Sequence, residues 1–253
     1  MIDKKRSRLL LILILLSAPA LFSWTYEENQ WEFPARLALM GKINRFNPYI
    51  ELQGMYHLPE GRFRYASMTA GSYIKVAPWL KMGAFYTFQT GARHLEDWSF
   101  TAGPPDSHWW EDTAGRTEHL ITFDATPRFL LDFLPGRNWL APIKIRYIYN
   151  VSENLHNLLV RPGITFVVMP DRTPLLTISL NYSLYFALNW GEAPLYSHGP
   201  YLSLIGHVNE WFKIEGRASY RYARYAVEDN GSWILNSSVF TFGLGLIFTP
   251  DFS

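Results

Sequence analysis

The feature that most narrows what this chain can become is an unbroken alternation, RTEHLITFDATPRFLLDF, from Arg116 to Phe133. Its even positions include Arg116, Glu118, Asp124, Arg128 and Asp132, while Ile121, Phe123, Phe129, Leu131 and Phe133 fall on the odd ones. A period of two is the side-chain repeat of a β-strand. Ordinary strands run about five or six residues, so this length predicts a tilted strand that crosses a hydrocarbon layer and extends past it.

The same split recurs downstream. From Trp139 to Asn150, the residues Trp139, Ala141, Ile143, Ile145, Tyr147 and Tyr149 share one face, and Lys144, Arg146 and Asn150 the other. Aromatics at both ends of an apolar face, with aliphatics between them, are the pattern of a lipid-facing strand. Val160, Ile164, Phe166 and Val168 oppose Arg161, Gly163 and Thr165, and Leu176 to Phe186 repeats the arrangement. In WFKIEGRASYRYARY, Lys213, Glu215, Arg217 and Arg221 face away from Ile214, Ala218, Tyr220 and Tyr222. Basic residues interleaved with aromatics also suit a nucleic-acid platform, so this stretch needs the context of the whole chain.

The N-terminus supplies part of that context. Lys4, Lys5, Arg6 and Arg8 precede LLLILILL and then Ser17-Ala18-Pro19-Ala20. A basic region, a short apolar run and a small-x-small end predict an export signal over residues 1–20, cleaved after Ala20. The apolar run is shorter than the roughly 20 residues a helical membrane anchor needs. Four bases and one acid leave with the signal, so the formal net charge of +1 becomes −2. A slightly acidic exported chain is a poor nucleic-acid binder, because phosphate neutralisation dominates that affinity. The chain has no cysteine, which favours a bacterial envelope protein over a disulfide-stapled secreted domain. Aromatics reach 17% of residues, more than a soluble core of this size uses, which predicts rings placed at an interface.

Candidate strands fall at 48–57, 61–76, 80–91, 115–133, 139–150, 158–168, 175–189, 199–208, 211–226 and 233–248. Short connections at Ala77-Pro78, 135–138, 170–174 and Asn209-Glu210 alternate with longer ones at 92–115, 151–157, 189–199 and 227–232, as outer-membrane barrels require. The expected fold is therefore all-β, an antiparallel transmembrane barrel of ten strands over residues 48–253, with both chain ends on the periplasmic side. The segment 21–47 is open: Trp31, Phe33, Ala35, Leu37 and Leu39 alternate like a strand, yet PARLALMGKI also suits a short helix. A first hairpin there would raise the count to twelve. Residues 61–76 lack a clean face, which predicts a bulge or register change.

The export signal, the amphipathic strands, the short turns and the final FTFGLGLIF resemble the small outer-membrane β-barrels of diderm bacteria, over almost the whole mature chain. Resemblance to that porin-like group implies an outer-membrane location, a lipid surround and insertion by the barrel-assembly machinery. Such proteins commonly end in an aromatic residue. This chain ends Phe252-Ser253, so Phe248 or Phe252 takes that place.

Function is less constrained than fold. By parity the lumen-facing charges are Arg116, Glu118, Asp124, Arg128, Asp132, Lys144, Arg146, Arg161, Lys213, Glu215, Arg217 and Arg221. Paired with one another they fill and fix the interior; open to water, they line a narrow pore in which the excess of bases favours anions. A second candidate is the loop GARHLEDWSFTAGPPDSHWWEDTAG, where His94, Asp97, Trp98, His108, Trp109 and Trp110 are suited to a surface ligand, although the spacing matches no metal motif. An enzyme is not expected. His119 falls on the apolar face as an interfacial ring, and Ser197-His198 has no evident acid partner. No cofactor or metal is called for. The expected roles are a small passive channel or structural barrel, or a surface-binding barrel acting through the 92–115 loop.

Overall fold

The computed structural model describes residues 29–57, 62–91, 117–134, 138–170, 173–190, 194–227 and 233–252. Eleven strands succeed one another: β1 (Asn29–Met40), β2 (Phe46–His57), β3 (Arg62–Ala77), β4 (Leu80–Thr90), β5 (Thr117–Leu130), β6 (Trp139–Asn150), β7 (Leu155–Val168), β8 (Leu176–Ala187), β9 (Leu195–His207), β10 (Phe212–Val227) and β11 (Trp233–Phe248). Each pairs with its chain neighbours, and the sheet closes into a barrel where β1 meets β11. All pairs are antiparallel except that last one, which is parallel, with Trp31 beside Phe240 and Arg36 beside Gly245.

The ten expected strands are present to within four residues at each end. The count of ten or twelve is corrected to eleven, because the segment left open before residue 48 supplies one strand rather than a helix or a hairpin. Leu37 and Leu39 point outward, 45% exposed each, whereas Ala38 is fully buried on the inner side. Period two therefore prevails over the helix-forming composition of RLALM, since pairing with both β2 and β11 satisfies its backbone. An odd strand count has a topological consequence. Asn29 begins β1 at the end of the barrel carrying the 91–116, 151–154 and 188–194 connections, whereas β11 finishes at the end carrying the short turns. The expectation of an even-stranded barrel that starts and finishes on one side is corrected accordingly.

β3 carries the irregularity its sequence predicted, twice: the register shifts at Met55/Tyr56 against β2 and at Lys75/Ala77 against β4. A third shift lies at Tyr185/Phe186 between β8 and β9. In the tight β1–β2 turn, Ile43 and Phe46 exchange backbone hydrogen bonds around Asn44, which adopts φ 53°. Past β11 the chain continues alongside this turn, where Lys42 pairs with Asp251 in the backbone and, at 2.5 Å, through the side chains.

The barrel wall is a single sheet with its polarity inverted relative to a soluble barrel, which exposes the polar face and buries the apolar one. Leu244 is 71% exposed and Leu180 60%, while Asp124 is 2% and Glu215 5%. Outward aromatics gather toward both ends of the wall. Trp79, Phe129, Phe133 and Trp211 are exposed near the short turns. Toward the longer connections lie three Tyr–His pairs, Tyr86 with His119 and Tyr147 with His156 at 2.5 Å, and Tyr182 with His198 at 2.7 Å. Ile50, Leu52, Ile145 and Ile164 occupy the zone between.

The alternation FGLGL in β11 has a specific purpose. Leu244 and Leu246 face outward, which turns Gly243 and Gly245 to the lumen. Gly245 is the register partner of Arg36 on one side and Glu215 on the other. With no side chain between them, Arg36 Nη1 reaches Glu215 Oε2 at 2.6 Å across an intervening strand. A Cβ at Gly245 would stand 3.2 Å from that same oxygen. Gly245→Val is expected to displace the pair and cost about 1–3 kcal/mol, read as a lower midpoint of urea unfolding, with Gly245→Ala intermediate. An unchanged midpoint in both variants would refute the spacing argument.

Candidate functional site in the barrel lumen

Inward residues from all eleven strands line one cavity of about 670 Å³. Its lining runs from Gln89, Glu118, Asn150 and Trp190 near the longer connections down to a layer at mid-height. Toward the short turns the lining stops, and a separate pocket there is bounded by Lys42, Asn47, Glu210, Lys213 and Asp251.

The layer at mid-height is built from two ion-paired groups facing each other across the lumen. On one side Arg36 pairs with Glu51 and Glu215 and donates to the Tyr49 hydroxyl at 2.7 Å, and Tyr49 in turn donates to Glu51. Glu215 also accepts from Ser203 at 3.0 Å and pairs with Arg217 at 3.4 Å. On the other side Arg146 grips Asp124 bidentately, Nε to Oδ1 at 2.6 Å and Nη2 to Oδ2 at 2.8 Å, with Lys144 at 3.2 Å from the same carboxylate. Between them stand the Tyr49, Tyr73 and Phe85 rings, packed edge-on at 4.6 to 5.8 Å. Tyr73 lies within electrostatic reach of both groups. Charges so placed are tolerable because each carboxylate meets a guanidinium or ammonium in fixed geometry.

Above this layer the β7–β10 wall has a different chemistry. Arg161 donates from Nε to the Ser183 hydroxyl at 2.8 Å and lies 4.3 Å over the Tyr201 ring. Arg221 lies 5.1 Å over Tyr185. That approach crosses β9 at Gly199, where a Cβ would meet the Tyr220 carbonyl at 2.0 Å. Trp190 and Tyr196, 4.7 Å apart, continue the aromatic surface toward the mouth.

Of the charges assigned to the lumen by parity, Glu118, Lys144, Arg146, Arg161, Glu215, Arg217 and Arg221 line the cavity, and Asp124 lies buried beneath Arg146. Glu118 accepts from Gln89 at 2.5 Å. Lys213 borders the separate pocket near the short turns instead. Arg128 is exposed near that same end, and Asp132 lies beyond the end of β5, exposed, because pairing with β6 stops at Leu130. Arg116 falls outside the described residues, as do His94, Asp97, Trp98, His108, Trp109 and Trp110. His119 sits on the outer face against Tyr86 and Phe88.

Sequence reasoning missed Arg36, Glu51, Tyr49 and Tyr73. Their strands gave weaker parity signals, β1 because it mimics a helix and β3 because of its register shifts. Adding Arg36, Glu51, Glu32 and Glu153 alters the charge balance: six bases, Arg36, Lys144, Arg146, Arg161, Arg217 and Arg221, now face six acids, Glu32, Glu51, Glu118, Glu153 and Glu215 in the cavity lining and Asp124 beneath it. The excess of bases that favoured anions throughout the lumen is therefore absent around the cavity as a whole, and any preference is local. No family model matches this chain, and no curated protein is similar to it.

Proposed function

We propose that the chain is a bacterial outer-membrane β-barrel acting as a small passive conduit, with a vestibule on the side of the longer connections and held nearly shut by the ion-paired layer at mid-height. The observation that carries this reading is the inverted wall: a closed sheet with aliphatic residues outside, aromatic rings toward both ends, and charge inside. Bilayers favour closed barrels, because closure satisfies every strand edge where no water is available. Arg36, Glu51, Tyr73, Phe85 and Arg146 form the floor of the cavity lining, with Asp124 beneath Arg146, and side chains that fill a small barrel leave little path for solutes larger than water and small ions.

Two measurements test the two halves of this reading. The mature chain is expected to require detergent for extraction and to show a heat-modifiable gel shift; a chain freely soluble in the periplasm would end the membrane reading. In planar bilayers the unaltered barrel is expected to conduct weakly, and Arg36→Ala combined with Glu51→Ala to raise the unit conductance several-fold. A wide ohmic pore in the unaltered protein, or no change in the double variant, would overturn the closed layer.

A further inference from the structure

Between the ion-paired layer and the short turns the lumen changes character. The inward phase that supplies the layer continues there on four strands, and it places Lys75 beyond Tyr73 on β3, Lys81 before Phe85 on β4, Arg128 beyond Asp124 on β5 and Lys213 before Glu215 on β10. Among the described residues no carboxylate shares that part of the inner face. Lys81 is held by a ring instead, its Nζ 3.6 Å from the centroid of Tyr73 and 4.0 Å from Met40 Sδ. His207, the register partner of Lys213, bonds the Thr177 hydroxyl at 2.9 Å. The described carboxylates at this end lie beyond the strands: Asp251 bonded to Lys42, Asp132 exposed past β5, and Glu210 in the β9–β10 turn. None of them forms an ion pair with Lys75, Lys81, Arg128 or Lys213.

The placement of these cations works against the sheet that carries them. Lys75 and Lys81 are direct register partners on adjacent strands, and like charges set opposite each other disfavour pairing. Lys81 also lies within electrostatic reach of Arg128 and Lys213 around the lumen. Asp124 is the carboxylate within its reach, and Arg146 and Lys144 already hold that one. Lys75 and Arg128 stay exposed to water, so their charge acts through its field and not through a fixed contact. An opening lined by one sign of charge between low-dielectric walls focuses that field and raises the local concentration of counter-ions roughly tenfold or more. Rings of Lys and Arg are the corresponding device in anion pores. On the other side of the layer the cavity holds bases and acids in balance, so a preference for one sign of ion arises at the short-turn end alone.

We infer that Lys75, Lys81, Arg128 and Lys213 form an anion-concentrating mouth at the short-turn end of the lumen, through which the conduit admits small inorganic anions in preference to cations. The inference rests on the reading of the barrel as a conduit, and it names the class of solute and the end at which that class is chosen.

The first test reads the field without any conductance. The chain has no cysteine, so Thr126→Cys, at the register partner of Lys81, gives a unique thiol in the folded, full-length mature barrel in detergent. Its reaction rates with a sulfonate-bearing and a trimethylammonium-bearing methanethiosulfonate are each divided by the rate with a small free thiol; a change in thiol ionisation affects both reagents alike and cancels in the ratio. At about 0.01 M salt, where the screening length is roughly 30 Å, the anionic reagent is expected to be favoured at least tenfold, and at about 1 M, where it is roughly 3 Å, the preference is expected to vanish. Lys75→Gln combined with Lys81→Gln and Lys213→Gln is expected to reduce it to less than threefold at low salt. A thiol at Ser67→Cys, in the balanced cavity lining, is expected to favour neither reagent by more than threefold. The second test uses no cysteine and so serves if Thr126→Cys does not fold. In planar bilayers under a potassium chloride gradient, the barrel opened by Arg36→Ala with Glu51→Ala is expected to reverse on the chloride side with a permeability ratio of at least three, and adding Lys75→Glu and Lys213→Glu to move the reversal potential toward potassium. Equal labelling by the two reagents at Thr126→Cys, the same preference at Ser67→Cys, or an opened barrel that does not favour chloride would overturn the anion mouth. A barrel that labels as expected but passes no ions, opened or not, refutes the conduit and leaves the anion-concentrating end standing.

Discussion

Arg36→Leu is expected to lower the stability of the folded barrel by about 3–5 kcal/mol, the usual cost of removing one partner from a buried ion pair. Arg36 ties β1 both to Glu51 on β2 and, across β11, to Glu215 on β10. Its loss leaves two carboxylates in a part of the lumen where Glu215 is 5% exposed, with Tyr49 and Ser203 as neutral donors and Arg217, 3.4 Å from Glu215, as the remaining cation. The effect concentrates at the β1–β11 seam, the single parallel pair in the barrel, whose register runs at one offset from Asn29–Ser238 to Leu39–Phe248. Urea titration in detergent, followed by the heat-modifiable gel shift, measures it as a lowered midpoint. Adding Glu51→Gln and Glu215→Gln to Arg36→Leu is expected to recover part of the loss, because neutral amides cost less to bury than carboxylates that have lost their main cation. A midpoint unchanged by Arg36→Leu would show that the network contributes nothing to closure.

The second large effect is topological. With the barrel in the outer membrane as proposed, an epitope inserted just before Asn29 and one inserted in the 92–115 connection are expected to be reached from the same side, and an epitope appended after Ser253 from the other. The reason lies in strand direction: β1 runs parallel to β11, so its start lies at the end where β11 also starts. In intact cells, with the longer connections outside, antibody binding to the first two tags and not to the third is the expected result. Labelling of the tag before Asn29 only after the envelope is opened would contradict the eleven-strand closure and restore an even-stranded arrangement. An all-or-none accessibility readout separates the two topologies without any measurement of stability.

Most of the barrel was legible in sequence because strand periodicity is local. Charge and apolar residues separate cleanly in β6, β7 and β8, and the parity that places Lys144, Arg146 and Arg161 inside holds for as long as a strand stays in register. Parity fails where a strand ends. Asp132 shares the phase of Asp124, yet the strand stops at Leu130 and its side chain is exposed. It also fails to announce β1, whose RLALM stretch satisfies helical and strand patterns alike until a partner on each side decides between them.

What the sequence determined by itself is thus the class of fold, the polarity of its two faces and the identity of most inward charges, since each depends on residues a few positions apart. Only the tertiary structure decided that there are eleven strands, that the seam is parallel and that the first strand therefore starts and the last finishes at opposite ends of the barrel. Closure is a property of the whole ring, settled by which edges remain unpaired once all other strands have found neighbours. Likewise, no local pattern distinguishes Arg161, held by hydroxyls and a ring, from Arg146, locked to Asp124. Both are inward arginines on adjacent strands, and what separates them is the residue that the opposite register places within reach.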